Sequence, residues 1–213
     1  MAKRLFTLLL VALSLSLLSW TAVAENRDPQ SQNAPLSIAY MHGWMTTNNI
    51  GNILIADHVH FANGNLDAVE LSYELSPHNI LRRILYYFVS TIEVAGLGAH
   101  RSDPRGSIYE ADVYLIARWK HFPWDRYLVN TLAFGDGLSY VTKPPFREVY
   151  DARHNNHAKN LLNYLMVEAT FALPSHPEIE LLGRVHHRCG AWGFFGAGNL
   201  SSNVVAVGLR YHF

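Results

Sequence analysis

Residues 109–120 read Tyr109-Glu110-Ala111-Asp112-Val113-Tyr114-Leu115-Ile116-Ala117-Arg118-Trp119-Lys120. One parity, Tyr109, Ala111, Val113, Leu115, Ala117 and Trp119, is apolar or aromatic, while the other holds Glu110, Asp112, Tyr114, Arg118 and Lys120. A period of two marks a strand whose faces meet different media. Leu165, Val167, Ala169, Phe171 and Leu173 repeat the pattern against Tyr164, Glu168 and Thr170. Working outward, the same reading gives strands at 36–45, 66–76, 85–98, 108–121, 127–140, 160–173, 178–190 and 203–213. Strands of this length suit a lipid band about 25 Å tall crossed at a tilt of roughly 40°. The fold class is therefore all-β: an eight-stranded antiparallel transmembrane β-barrel, residues 36–213. Two stretches leave alternatives open. Residues 54–61 suit a ninth strand or a strand folded within the first loop, and 78–89 suit a helical turn leading into a strand.

The N-terminus is an address. Lys3 and Arg4 precede the apolar run Leu5–Leu18, which is too short to span a bilayer, and Ala22-Val23-Ala24 offers small residues for cleavage. Residues 1–24 are expected to be a cleaved signal peptide and 25–35 a polar lead-in to the barrel. The 213 residues contain 17 Lys+Arg against 17 Asp+Glu, which excludes the basic surfaces of nucleic-acid binders. One cysteine excludes an internal disulfide and every Cys-rich metal site.

The connections point to an outer membrane. Short turns at Phe122-Pro123-Trp124-Asp125 and Pro174-Ser175-His176-Pro177 alternate with longer segments at 46–65, 99–107, 141–159 and 190–202. The chain closes on Gly208-Leu209-Arg210-Tyr211-His212-Phe213, an alternating strand with a terminal aromatic. Such an ending is expected to meet the outer-membrane assembly machinery through Phe213. A barrel of eight strands is filled by side chains, so no wide channel is expected.

The seventh strand carries the candidate chemistry. Ile179, Leu181, Gly183, Val185, His187 and Cys189 share one parity and Glu178, Glu180, Arg184, His186 and Arg188 the other. His187 and Cys189 thus continue an apolar, lipid-facing row near the extracellular end of an upward strand, where polar groups are costly. His186 and Arg188 point inward and are expected to pair with Glu168 or Glu180.

The stretch His187-Arg188-Cys189-Gly190, followed by Asn199, Ser201-Ser202-Asn203 and the Gly-Leu-Arg-Tyr-His-Phe ending, resembles the lipid A 3-O-deacylases and related acyloxyacyl-hydrolase-like proteins. Asp136-Gly137-Leu138-Ser139-Tyr140 and Leu161-Leu162-Asn163-Tyr164-Leu165 look like segments of related exported barrels. The resemblance implies an eight-stranded outer-membrane barrel with a Ser-His-Glu triad on its outer wall. Two departures stand out: Cys189 replaces the serine of the family's His-x-Ser motif, and no Asp or Glu follows it. The position of the acid falls on Asn203, and Cys-His-Asn is a working triad elsewhere. The resemblance thus gives His187, Cys189 and Asn203 as catalytic residues, with Asn199 and backbone N–H groups near Gly190 on the oxyanion. The expected partner is lipopolysaccharide or phospholipid of the outer leaflet, with no nucleic acid, cofactor or metal.

Plainer readings stand beside these. Cys189 beside a glycine serves equally as a small wall residue, and the chain is then a non-catalytic barrel, structural or pore-like, with a decayed triad. Glu148 and Asp151 are available to replace the missing acid. His154-x-x-His157 and His58-x-His60 are weak metal motifs without supporting carboxylate spacing. Trp192, Phe194 and Phe195, spaced by Gly193, Gly196 and Gly198, suit a lid or an interface anchor.

Overall fold

The computed structural model describes residues 35–152, 157–198 and 200–213. The signal-peptide and nearly all of the lead-in segments lie outside them. Eight strands form one closed barrel in which each pairs with its sequence neighbours and the last with the first: β1 (Leu36–Thr46), β2 (Phe61–Glu74), β3 (Thr91–Asp103), β4 (Gly106–Trp119), β5 (Val129–Val141), β6 (Leu161–Leu173), β7 (His176–Cys189) and β8 (Ser201–His212). All eight pairs are antiparallel. Closure removes every sheet edge, which is what allows strands to cross a membrane with their backbone groups satisfied. Among the described residues, no helix is long and apolar enough to cross.

The alternation sorts the side chains as read. On β4 the inward residues Glu110, Asp112, Tyr114 and Arg118 are buried, while Tyr109 and Val113 are 63% and 62% exposed. Leu71, Leu138, Leu181 and Leu209 lie exposed on the outside in the same way. An apolar exterior around a charged interior is the inverse of a soluble protein and fits a barrel set in lipid. The protein is an outer-membrane β-barrel.

The lumen is filled by interlocked charge. Glu168 accepts from Arg118 Nη1 at 3.0 Å, Arg184 Nε at 2.9 Å and Arg210 Nη1 at 2.7 Å. Glu70 takes Arg210 Nη2 at 2.9 Å and also bonds Arg184 and the Tyr114 hydroxyl. Buried ions are tolerable only when paired this fully. A layer above, Arg101 grips Glu110, and Arg188 Nε donates to Glu148 at 3.0 Å. The inward residues His186 and Arg188 therefore pair with Glu110 and Glu148, not with Glu168 or Glu180; the closer carboxylates come from β4 and from a loop helix whose insertion no strand periodicity encodes.

The connections depart from the sequence reading at three points. The segment 54–61 forms no strand of its own: α1 (Ile50–Leu54) occupies the first loop and only Phe61, the first residue of β2, is strand. The stretch 78–89 does hold a helix, α2 (Ile80–Leu85), capped by Asn79 Oδ1 accepting from the Leu81 N–H, and β3 starts only at Thr91. Residues 99–107 are strand on either side of a tight turn, not a long loop, since β3 runs to Asp103 and β4 starts at Gly106. Asp103 Oδ1 accepts the Arg105 N–H, and Gly106 takes φ +86°, a conformation open to glycine. The fifth connection contains α3 (Phe146–Ala152), which carries Glu148 into the barrel mouth.

Candidate active site

The β7–β8 register sets His187 directly opposite Asn203, and Cys189 opposite Ser201. His187 Nδ1 lies 2.5 Å from Asn203 Oδ1. The Asn203 amide is oriented from behind, because its Nδ2 donates to the Asn48 carbonyl at 2.7 Å. With the amide oxygen thus turned to the ring, Nδ1 carries the proton and Nε2 keeps its lone pair. That is the tautomer a general base requires.

His187 belongs to the outward row yet is only 6% exposed, whereas Leu181 on the same row is 55% exposed. The cover is the first loop, whose α1 packs on β7. Asn48 fastens that loop: its side chain donates to the His58 carbonyl at 3.0 Å and accepts the His60 N–H at 2.7 Å. No residue pattern signals this roof, which depends on a backbone carbonyl.

Cys189 ends β7 on the same face, half-buried and with a free thiol. Beyond Gly190, Ala191 and Trp192 hold φ of +46° and +51°, and the turn brings the Ala191 N–H close to the sulfur. Non-glycine residues in that region cost energy and cluster where function over-determines the backbone. The Gly190 N–H is already given to the Leu200 carbonyl at 3.1 Å, so the backbone donor beside the thiol is Ala191. Gly190 itself has no room for a side chain, since a Cβ there would stand 2.4 Å from the Gly198 carbonyl. Asn199 lies outside the described residues.

An acid upstream of Cys189 does lie on the same wall, though its hydrogen bond goes to Asn163 and not to His187. Asn163 of β6 stands directly opposite Cys189 and donates its Nδ2 to Asp136 Oδ1 at 3.0 Å. Asp136 sits in the outward row of β5 with Phe134 and Leu138, so the wall carries a polar run from Asp136 through Asn163 to Cys189, His187 and Asn203. The rule that singled out His187, a polar residue interrupting an apolar parity, applies equally to Asp136. Glu148 is inside the barrel, held by Arg188 and by Ser202 Oγ at 2.7 Å, and Asp151 pairs with Arg147 at 3.3 Å; neither bonds His187.

Among the described residues, the metal-like grouping is Glu110, Asp112 and His186, whose ligand atoms lie within 4.8 Å of one another in the lumen. Arg101 engages both Glu110 and His186 Nε2, at 2.8 Å for the latter, and so supplies the positive charge there. His58 is exposed and bonds Asp57 at 2.6 Å, and His154 lies outside the described residues.

No protein-family model matches the chain, and no curated protein matches it. Its fold is similar to that of the outer membrane enzyme PagL, with a TM-score of 0.50 and 7% identity over 82% of this chain and 98% of that one. Neisserial surface protein A gives a TM-score of 0.48 at 9% identity, covering 84% and 98% of the two chains. De novo designed transmembrane β-barrels give 0.46 at 13%, covering 85% and 98%. At these identities the likeness is one of fold.

Proposed function

We propose that this outer-membrane barrel is an esterase that hydrolyses an acyl ester of lipid A or a related lipid on its outer wall, with Cys189 as nucleophile, His187 as base and Asn203 as the orienting group. The observation that carries this reading is the His187–Asn203 bond of 2.5 Å on a lipid-facing row, which leaves Nε2 as the basic nitrogen on the face that also bears Cys189. His187 takes the thiol proton, and the sulfur attacks the ester carbonyl. The Ala191 N–H, beside the sulfur, then stabilises the oxyanion. The C–O bond then breaks, His187 protonates the leaving sugar or glycerol oxygen, and water hydrolyses the thioester.

A second reading, a non-catalytic barrel, draws on the roof over His187, since a buried imidazole meets no substrate until the first loop lifts. The interlocked lumen speaks against a pore in either case.

The test is to quench a slow turnover with acid and map the protein by peptide mass. An acyl adduct on the Cys189 peptide in wild type, absent in His187→Ala, supports the esterase. Absence of any adduct and of any hydrolysis in wild type supports the inert barrel.

A further inference from the structure

The connection between β2 and β3 carries an exposed apolar face. It lies at the end of the barrel that bears both chain termini, because Leu36, which starts β1, pairs with Tyr73 near the end of β2, and Ser37 pairs with His212. Helical geometry outlasts α2. Tyr86 stays in the right-handed helical region, and the Phe88 and Val89 N–H groups donate to the Leu85 carbonyl at 2.9 and 3.0 Å. Ile80, Ile84, Tyr87 and Phe88 therefore stand at i, i+4, i+7 and i+8, which is one stripe of a helix. All four are exposed, Tyr87 at 89% and Phe88 at 73%. A contiguous apolar face of this kind marks a contact surface.

The stripe is fastened to the barrel. Arg82 Nη1 donates to Glu74 Oε1 at 3.0 Å and to the Leu75 carbonyl at 2.7 Å, and Ser90 Oγ accepts the Lys120 N–H at 2.9 Å. Trp119 Nε1 donates to the Phe88 carbonyl at 2.7 Å. Trp119 closes the outward row of β4, so this bond sets the stripe beside the lipid-facing wall. The β4–β5 turn at the same end adds exposed Trp124, Tyr127 and Leu128. Cations accompany these apolar groups: Arg83 is exposed beside Ile84, and the Arg126 guanidinium lies 4.4 Å from the centre of the Tyr127 ring. Tyrosine, tryptophan and arginine around an apolar stripe are the composition of a helix that lies in a membrane interface. The adjoining wall is already in lipid, so the edge of the leaflet reaches this face before any soluble partner does.

We propose that the segment 80–88 is an in-plane membrane anchor. Ile80, Ile84, Tyr87 and Phe88 sink into the acyl-chain boundary of the phospholipid leaflet, and Arg83 meets the phosphate of anionic glycerophospholipids. Loop length assigns the leaflet. The opposite end of the barrel carries the connections 47–60, 142–160 and 190–200, longer in sum than 75–90, 120–128 and 174–175 here, and the longer loops of such barrels face outward. This lipid contact goes beyond the Cys189 reading and is independent of it.

The experiment attaches a nitroxide to Tyr87→Cys in a Cys189→Ala background and refolds the full chain into bilayer nanodiscs of phosphatidylcholine and phosphatidylglycerol in equal parts. Oxygen concentrates in lipid and a nickel chelate in water, so the nitroxide should relax faster with oxygen, and adding Ile84→Asp should reverse that order. Amide hydrogen exchange over 80–88, in the chain without the label, should be slower in these discs than in pure phosphatidylcholine by at least about fivefold, and Arg83→Gln should remove most of the difference. Gel mobility of the unheated sample confirms that each variant is folded. A nitroxide at residue 87 more open to the nickel chelate than to oxygen overturns the proposal and leaves the face to a protein partner. Exchange equal in the two lipids overturns it as well.

Discussion

Asn203 ties His187 to the first loop: its oxygen holds Nδ1 at 2.5 Å and its amide nitrogen holds the Asn48 carbonyl at 2.7 Å. Truncation by Asn203→Ala should therefore loosen two things at once. Hydrogen exchange across 47–60 should quicken, with the barrel losing about 1–3 kcal/mol from the unpaired groups left behind. Asn203→Asp also loses the donor to Asn48 but keeps an acceptor for the imidazole. Its ester hydrolysis should exceed that of Asn203→Ala by at least about tenfold, and equal rates would remove Asn203 from the reaction.

Glu168 is the hub of the lower lumen, with Arg118, Arg184 and Arg210 all on one carboxylate. Glu168→Gln leaves three buried guanidiniums short of charge and should cost about 3–5 kcal/mol in denaturant titration followed by gel mobility.

Asp112 behaves oppositely. Both its carboxylate oxygens are buried without a hydrogen-bond partner, and Ser139, its register partner, gives its hydroxyl to Glu110 at 3.0 Å. Asp112→Asn should leave stability unchanged or raise it by about 1 kcal/mol in the same titration. A loss of several kcal/mol would mean that the carboxylate has a partner of its own.

Gly208 lies where β8 closes the barrel on β1, opposite Met41. A Cβ there would come within 2.1 Å of the Tyr40 carbonyl and 2.8 Å of the Met41 Cα, both backbone. Gly208→Ala should cost about 2–4 kcal/mol and slow refolding, whereas Gly96→Ala, on open wall, should cost less than about 1 kcal/mol.

The barrel was legible because every strand writes its two faces into alternate residues, as Tyr109–Lys120 does. The His187–Asn203 pairing was legible for the same reason, since parity and a hairpin bring them together. What parity cannot encode is a connection that folds back. The roof over His187 rests on the Asn48 carbonyl, and the Glu148 plug on a loop helix. The Asp136–Asn163 pair and the His42–Asp67 pair were readable in principle, as polar breaks in outward rows, but only with strand neighbours and register in hand. The tight Asp103–Gly106 turn was signalled by its Asp-Pro-Arg-Gly sequence, and a count of loop lengths concealed it.

The most direct test of acyl-ester chemistry on this outer wall is the mass spectrum of lipid A recovered from lipopolysaccharide vesicles carrying the refolded wild-type barrel. The account expects a new species lighter by one acyl chain, with the matching free fatty acid released. A spectrum identical to that of protein-free vesicles, with the barrel folded, would contradict it.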